Sequence, residues 1–126
     1  MDVQKQIEYW RDMSDDDLEA ADALLDKRKI RQALFFAELA LEKILKAQVA
    51  AALNEIPPRT HDLLRLVELA QIDLAEERRL FIARFQQYCL EGRYPKTWPT
   101  APSQEEANAE IQECREMIAW LKTQLK

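Results

Sequence analysis

The residues best able to do chemistry are concentrated in two proline-rich stretches. NEIPPRTH at 54–61 carries Arg59 and the chain's one histidine, His61. EGRYPKTWPTAPS at 91–103 carries Arg93, Tyr94, Lys96 and Trp98. Guanidinium and ammonium groups bind phosphate oxygens, an imidazole exchanges a proton near neutral pH, and aromatic rings stack on bases. Brought together, Arg59, His61, Arg93, Tyr94 and Lys96 would form an anion site suited to a nucleotide or a nucleic-acid phosphate. The same residues have a structural reading. Trp98 and Tyr94 would plug the end of a bundle, Arg59 and Arg93 would pair with Glu55 and Glu91, and His61 would cap or pack.

Two further charge clusters read more plainly. Lys27, Arg28, Lys29 and Arg31 crowd a turn, where cations suit the negative end of a preceding helix, with a phosphate patch as the alternative. Asp15, Asp16 and Asp17 would point to three different sides of a helix, which makes a solvated surface rather than a metal cradle.

The elements that must position these residues are helices. In the stretch 33–53, ALFFAELALEKILKAQVAAAL, 16 of 21 residues are apolar and none is Gly or Pro. At 100° per residue, Glu38, Glu42, Lys46 and Lys43 fall at roughly 0°, 40°, 80° and 140°, on one arc. Apart from Gln48, the remaining arc of about 220° is apolar, far wider than a surface helix needs. This is the central helix of a bundle, with Glu42 and Lys46 expected at its polar surface. Val3, Ile7, Trp10, Ser14, Asp17, Ala21 and Leu24 keep helical phase to about Lys27, one long first helix despite a capping-box signal at Ser14 and Asp17. Thr60 or Asp62 starts a third helix with Leu63, Leu66, Val67 and Ala70 on its apolar side, ended at Asp73. A fourth runs over about 75–90, ended by Gly92. Ser103 with Glu106 opens a fifth to near Leu125, on Ile111, Cys114, Met117, Ile118 and Leu121. The fold class is all-α, an up-and-down antiparallel bundle of four to five helices in one domain, 1–126. Strict alternation of helix direction would put the 54–61 and 91–103 stretches at one end, beside the open N-termini of helices three and five. The cluster at 27–31 would then lie at the other.

The bulk numbers narrow the field. One Gly, five Pro, 48% hydrophobic and 33% charged residues suit a folded helical domain, not a disordered or fibrous chain. A net charge of −5 gives no global pull toward nucleic acid or an anionic membrane, so any such contact needs a local patch. Cys89 and Cys114 have no CxxC spacing, which points to reduced thiols in a cytoplasmic protein. With one His and no Cys pair, no zinc cluster and no cofactor are expected. No apolar run reaches the ~20 residues of a membrane span, and the N-terminus is not a signal peptide.

These stretches resemble the HEPN domain family. The resemblance is carried by Tyr9-Trp10, Asp17-Leu18, Ala33-Leu34-Phe35, Glu42-Lys43, Leu45-Lys46-Ala47, Pro58-Arg59-Thr60-His61-Asp62-Leu63 and Arg93-Tyr94-Pro95, in that order, before a final amphipathic helix. It implies a four- to five-helix bundle, commonly a homodimer, often encoded beside a minimal nucleotidyltransferase. Toxin–antitoxin settings and nucleotide- or RNA-related roles come with it. Many active members are RNases carrying Arg, four to six residues, then His. Here the three positions for that Arg hold Asn54, Glu55 and Ile56. The variant with Tyr in place of His needs Arg six residues earlier, and Tyr88 and Tyr94 have Ile82 and Tyr88 there. The ribonuclease motif is absent, and whether the chain is an enzyme stays open. Three readings follow from the sequence. One is a HEPN-like module that binds a nucleotide or nucleic-acid phosphate and pairs with a nucleotidyltransferase. The others are an RNase whose Arg and His meet in space, such as His61 with Arg93, and a purely structural dimeric interaction protein.

Overall fold

A computed structural model describes residues 2–89 and 102–125. Among them are five helices and no strand: α1 Val3–Asp26, α2 Ile30–Leu53, α3 Leu63–Ala70, α4 Glu76–Phe85 and α5 Gln104–Gln124. Arg93, Tyr94, Lys96 and Trp98, with the expected stop at Gly92, lie outside the described residues.

Local chemistry sets most boundaries. Asp2 caps α1 by accepting from the Lys5 amide, and the helix passes through Ser14 without a break. Ser14 is fully buried, its hydroxyl donating to the Ala40 carbonyl of α2 at 2.7 Å. α2 stops at Asn54, in the left-handed region at φ 56°, a conformation that Asn tolerates better than most residues. Asp62 caps α3, and Thr60 accepts from the Asp62 amide. That helix ends at Ala70, three residues before the expected stop at Asp73, with Gln71 at φ 57°. α4 gives way to a turn at Gln86 and a further helical stretch at 87–89. Ser103 and Glu106 form the expected capping box of α5.

α2 is the centre. Its 14 buried residues include Leu34, Leu41, Ile44 and Leu45, all fully buried. α1 and α2 form an antiparallel hairpin, seen in the pairing of Ser14 with Ala40 and of Trp10, further back on α1, with Lys46, further on along α2. α5 lies against both. Gln104 of α5 donates to the Leu25 carbonyl, Cys114 to Ala37, and the Gln48 amide of α2 to Leu121. α5 therefore runs parallel to α2. α4 runs antiparallel to α5, with Arg78 over the Trp120 ring at 3.9 Å and Arg84 on Glu110 at 2.9 Å.

The up-and-down bundle is thus made by α1, α2, α4 and α5, and α3 is an extra helix carried on the connection. This corrects the expected sorting of the ends. An extended chain of nine residues, 54–62, reaches up to about 30 Å. The rise from Leu53 back to the level of Glu42 is about 16 Å of helix. The connection therefore climbs along α2, His61 arrives opposite Glu42, and α3 descends to leave Ala70 beside Asn54 and Gln124. The N-terminus of α5, at Gln104, consequently sits at the α1–α2 turn and not at the end where α2 finishes.

Candidate functional site: a buried charge stripe under an exposed histidine

The polar arc of α2 is not solvated. Glu38 is 0%, Glu42 3% and Lys46 7% exposed, so the expectation of a surface Lys46 is overturned. The reason lies in α1, whose inward phase includes two polar residues, Ser14 and Asp17, both buried. The polar sides of α1 and α2 face one another. Lys43 pairs with Asp17 at 2.6 Å and Lys46 with Glu42 at 3.1 Å, and the Lys46 ammonium lies 5.1 Å from the centre of the Trp10 ring. A buried charge persists only when paired.

His61 closes this stripe from the outside. Its Nδ1 lies 2.9 Å from Glu42 Oε1, and 55% of its side chain is exposed. Glu42 thus divides its oxygens, Oε2 to Lys46 and Oε1 to His61. An ionised carboxylate only accepts, so Nδ1 carries the proton of this bond and Nε2 is left for another partner. Cys89, from the helical stretch after α4, brings its sulfur into the same place. The ligand atoms of Glu42, His61 and Cys89 all lie within 4.8 Å of one another, the one such triple among the described residues. Arg59, two residues before His61, is exposed and makes no hydrogen bond or ion pair within the described residues, so it does not pair with Glu55.

Of the five expected ligand-binding residues, the structure describes Arg59 and His61, two residues apart on the climbing connection. Arg93, Tyr94 and Lys96 lie outside the described residues. The expected contribution of helix N-termini does not hold. The Gln86 side-chain oxygen accepts from the Leu63 and Leu64 amides, at 2.6 and 3.2 Å, and Asp62 from Arg65, so the first turn of α3 is already satisfied. The α5 terminus is at the other end and is capped by Ser103. Glu42, Lys46, Trp10 and Cys89 are members of the site that spacing did not single out.

Other polar contacts are structural. Arg115 holds Asp22 of α1 through two hydrogen bonds of 3.0 and 2.7 Å, and the Asp22 bond raises its pKa. Arg84 is raised likewise by its bond to Glu110, which also accepts from the Tyr88 hydroxyl at 3.2 Å. Burial, followed by the nearby charge of Glu38, pushes the Cys114 thiol far above its ordinary range, which leaves it inert.

Comparison with known proteins agrees with this architecture. A family model described as HEPN domain matches residues 7–124. The chain is similar in structure to the crystal structure of TT1696 from Thermus thermophilus, with a TM-score of 0.79 and 22% identity over 95% of this chain and 98% of that one. At that identity the likeness speaks for the fold alone. No curated protein matches the chain.

Proposed function

The chain belongs to the HEPN domain family, and from that premise we propose that it is a phosphate-binding module working through Arg59 and His61. The observation that carries this reading is the bond from His61 to the buried Glu42. A 3%-exposed carboxylate anchored by Lys46 fixes the imidazole, so Nε2 is presented at the surface in a set direction. Arg59, two residues earlier on the same connection, is exposed with its guanidinium uncommitted among the described residues. A planar guanidinium grips two phosphate oxygens, and because Nδ1–H is held by Glu42, Nε2 adds a third donor when the ring takes up a second proton as imidazolium. The ligand is the phosphate of a nucleotide or of RNA, and Arg93, Tyr94 and Lys96 belong to the same proposal. Net charge of −5 makes the binding local and salt-sensitive rather than global. In the setting that family membership suggests, the module is a cytoplasmic homodimer acting with a minimal nucleotidyltransferase in a toxin–antitoxin pair.

The test is titration of the untagged protein with ATP and with a short RNA at low and physiological salt. Arg59→Ala is expected to weaken binding about tenfold, close to 1.4 kcal/mol. Neutralising Lys27, Arg28 and Lys29 together should leave it unchanged. Loss through the second variant and not the first would remove the site from His61.

A second reading has its own support. A carboxylate that orients an imidazole is how proton-transfer histidines are held in hydrolytic sites. His61 would then cleave RNA with an arginine that meets it in space. Cleavage by the wild type that His61→Ala abolishes would establish this reading over simple binding.

A further inference from the structure

We propose that Glu42, His61 and Cys89 form a binding site for a divalent transition-metal ion of the zinc class, independent of the phosphate reading. Three donors of different type converge from three separate segments: α2, the climbing connection and the helical stretch 87–89. Glu42 Oε1 and His61 Nδ1 are 2.9 Å apart, and the Cys89 sulfur lies within 4.8 Å of a Glu42 carboxylate oxygen and of a His61 ring nitrogen. Zinc binds nitrogen and oxygen at about 2.0–2.2 Å and thiolate at about 2.3 Å, which separates neighbouring tetrahedral donors by about 3.3–3.6 Å. The ion therefore needs the Glu42–His61 bond to open by about half an ångström and the sulfur to close by no more than about 1.3 Å. Carboxylate, imidazole and thiolate together suit zinc or cobalt rather than magnesium or calcium, which take oxygen donors. Three protein ligands leave one position for water or a ligand oxygen.

The surroundings suit such an ion. Lys46 holds Oε2 of Glu42 and leaves Oε1 for the metal. With Cys89 as thiolate and Glu42 ionised, the ion's two charges are balanced, and Lys46 remains as the one local excess. On binding, the S–H bond of Cys89 breaks and its proton passes to solvent. The imidazole stays neutral by moving its proton from Nδ1 to Nε2. The net change is one proton released per ion bound. A nucleophilic role for Cys89 fits less well, because the residue is only 7% exposed.

Cobalt titration of the untagged, chelator-treated protein tests the site. One Co²⁺ per chain is expected, with a near-ultraviolet thiolate-to-cobalt charge-transfer band, visible bands of four-coordinate cobalt, and release of one proton. Zn²⁺ should displace the cobalt and raise the melting temperature. Cys89→Ser should abolish the charge-transfer band, while Cys114→Ser should retain it. His61→Ala, a change at an exposed side chain, should weaken metal binding at least tenfold with the helical spectrum intact. A wild type that gives no charge-transfer band overturns the assignment, as does a band of equal strength in Cys89→Ser. Neither result would bear on Arg59-dependent phosphate binding, which is measured without metal.

Discussion

At the scale of single residues, one substitution pair separates the two faces of α2. Leu45 is fully buried, and Leu45→Ala is expected to cost about 2–5 kcal/mol. Judged by its place on the polar arc, Lys46→Ala would cost no more than the ~0.5 kcal/mol of a surface change. In the structure Lys46 is 7% exposed and neutralises Glu42, so its removal strands a buried carboxylate. Broken buried pairs cost about 3–5 kcal/mol, and because His61 still holds Glu42 the lower end, about 3 kcal/mol, is expected. Chemical denaturation of the two variants decides the matter, and a near-neutral Lys46→Ala would mean that Glu42 is not committed to this pair. The sequence contained the relevant clue. Ser14 and Asp17 fall in phase with Ile7, Trp10 and Ala21 on α1, so a polar patch lay on the inward face of one helix while α2 carried a matching one. Spacing within a helix cannot show that two such patches meet. Nor can it show that the one histidine and Cys89, 28 positions apart in the chain, both come within 4.8 Å of one buried carboxylate.

At the scale of elements, the helix-end signals were legible because caps are local. Ser103 with Glu106, Asp62 before Leu63, and the stop near Leu53 were all readable within four residues of chain. The α5 cap also makes a pH prediction. The Glu106 carboxylate accepts from the Ser103 amide at 2.9 Å, and that backbone bond, then the Ser103 side-chain contact, lowers its pKa below the ordinary 4.5. A lowered folded-state pKa contributes stability that is present above the ordinary value and lost as pH falls through the folded one. Glu106→Gln should therefore destabilise α5 at neutral pH and lose that penalty well below pH 4.5, as followed by thermal unfolding. A difference from wild type that does not change with pH would remove the capping carboxylate from the account. Ser103→Ala should cost about 0.5–2 kcal/mol at neutral pH. Element direction was less legible than element identity. The double proline Pro57-Pro58 announced an extended connection, but its length along α2 depends on where α3 finds its apolar groove. That is a tertiary choice, and it reversed α3 and moved the start of α5 to the opposite end.

At the scale of the whole molecule, one helix, α2, is the common wall of the core and of the candidate site. Its apolar sides carry the bundle, and its charged side positions His61 through Glu42. No helix among the described residues is long and apolar enough to cross a membrane. Tyr9, Leu53, Ile56 and Leu80 remain exposed, between 37% and 61%, which is apolar surface available to the proposed homodimer. Light scattering should return twice the chain mass of 14.8 kDa at high micromolar concentration. A monomer there would remove the dimer and leave the fold untouched. The central claim is that phosphate binds at the surface of Arg59 and His61 and not at the basic turn. Backbone amide shifts during titration with a short RNA or ATP report the location directly. The predicted result is a cluster of salt-sensitive shifts at 59–65, with Glu42 following through its bond to His61, and quiet amides at 27–31. Shifts confined to 27–31, or none anywhere at saturating ligand, would contradict it.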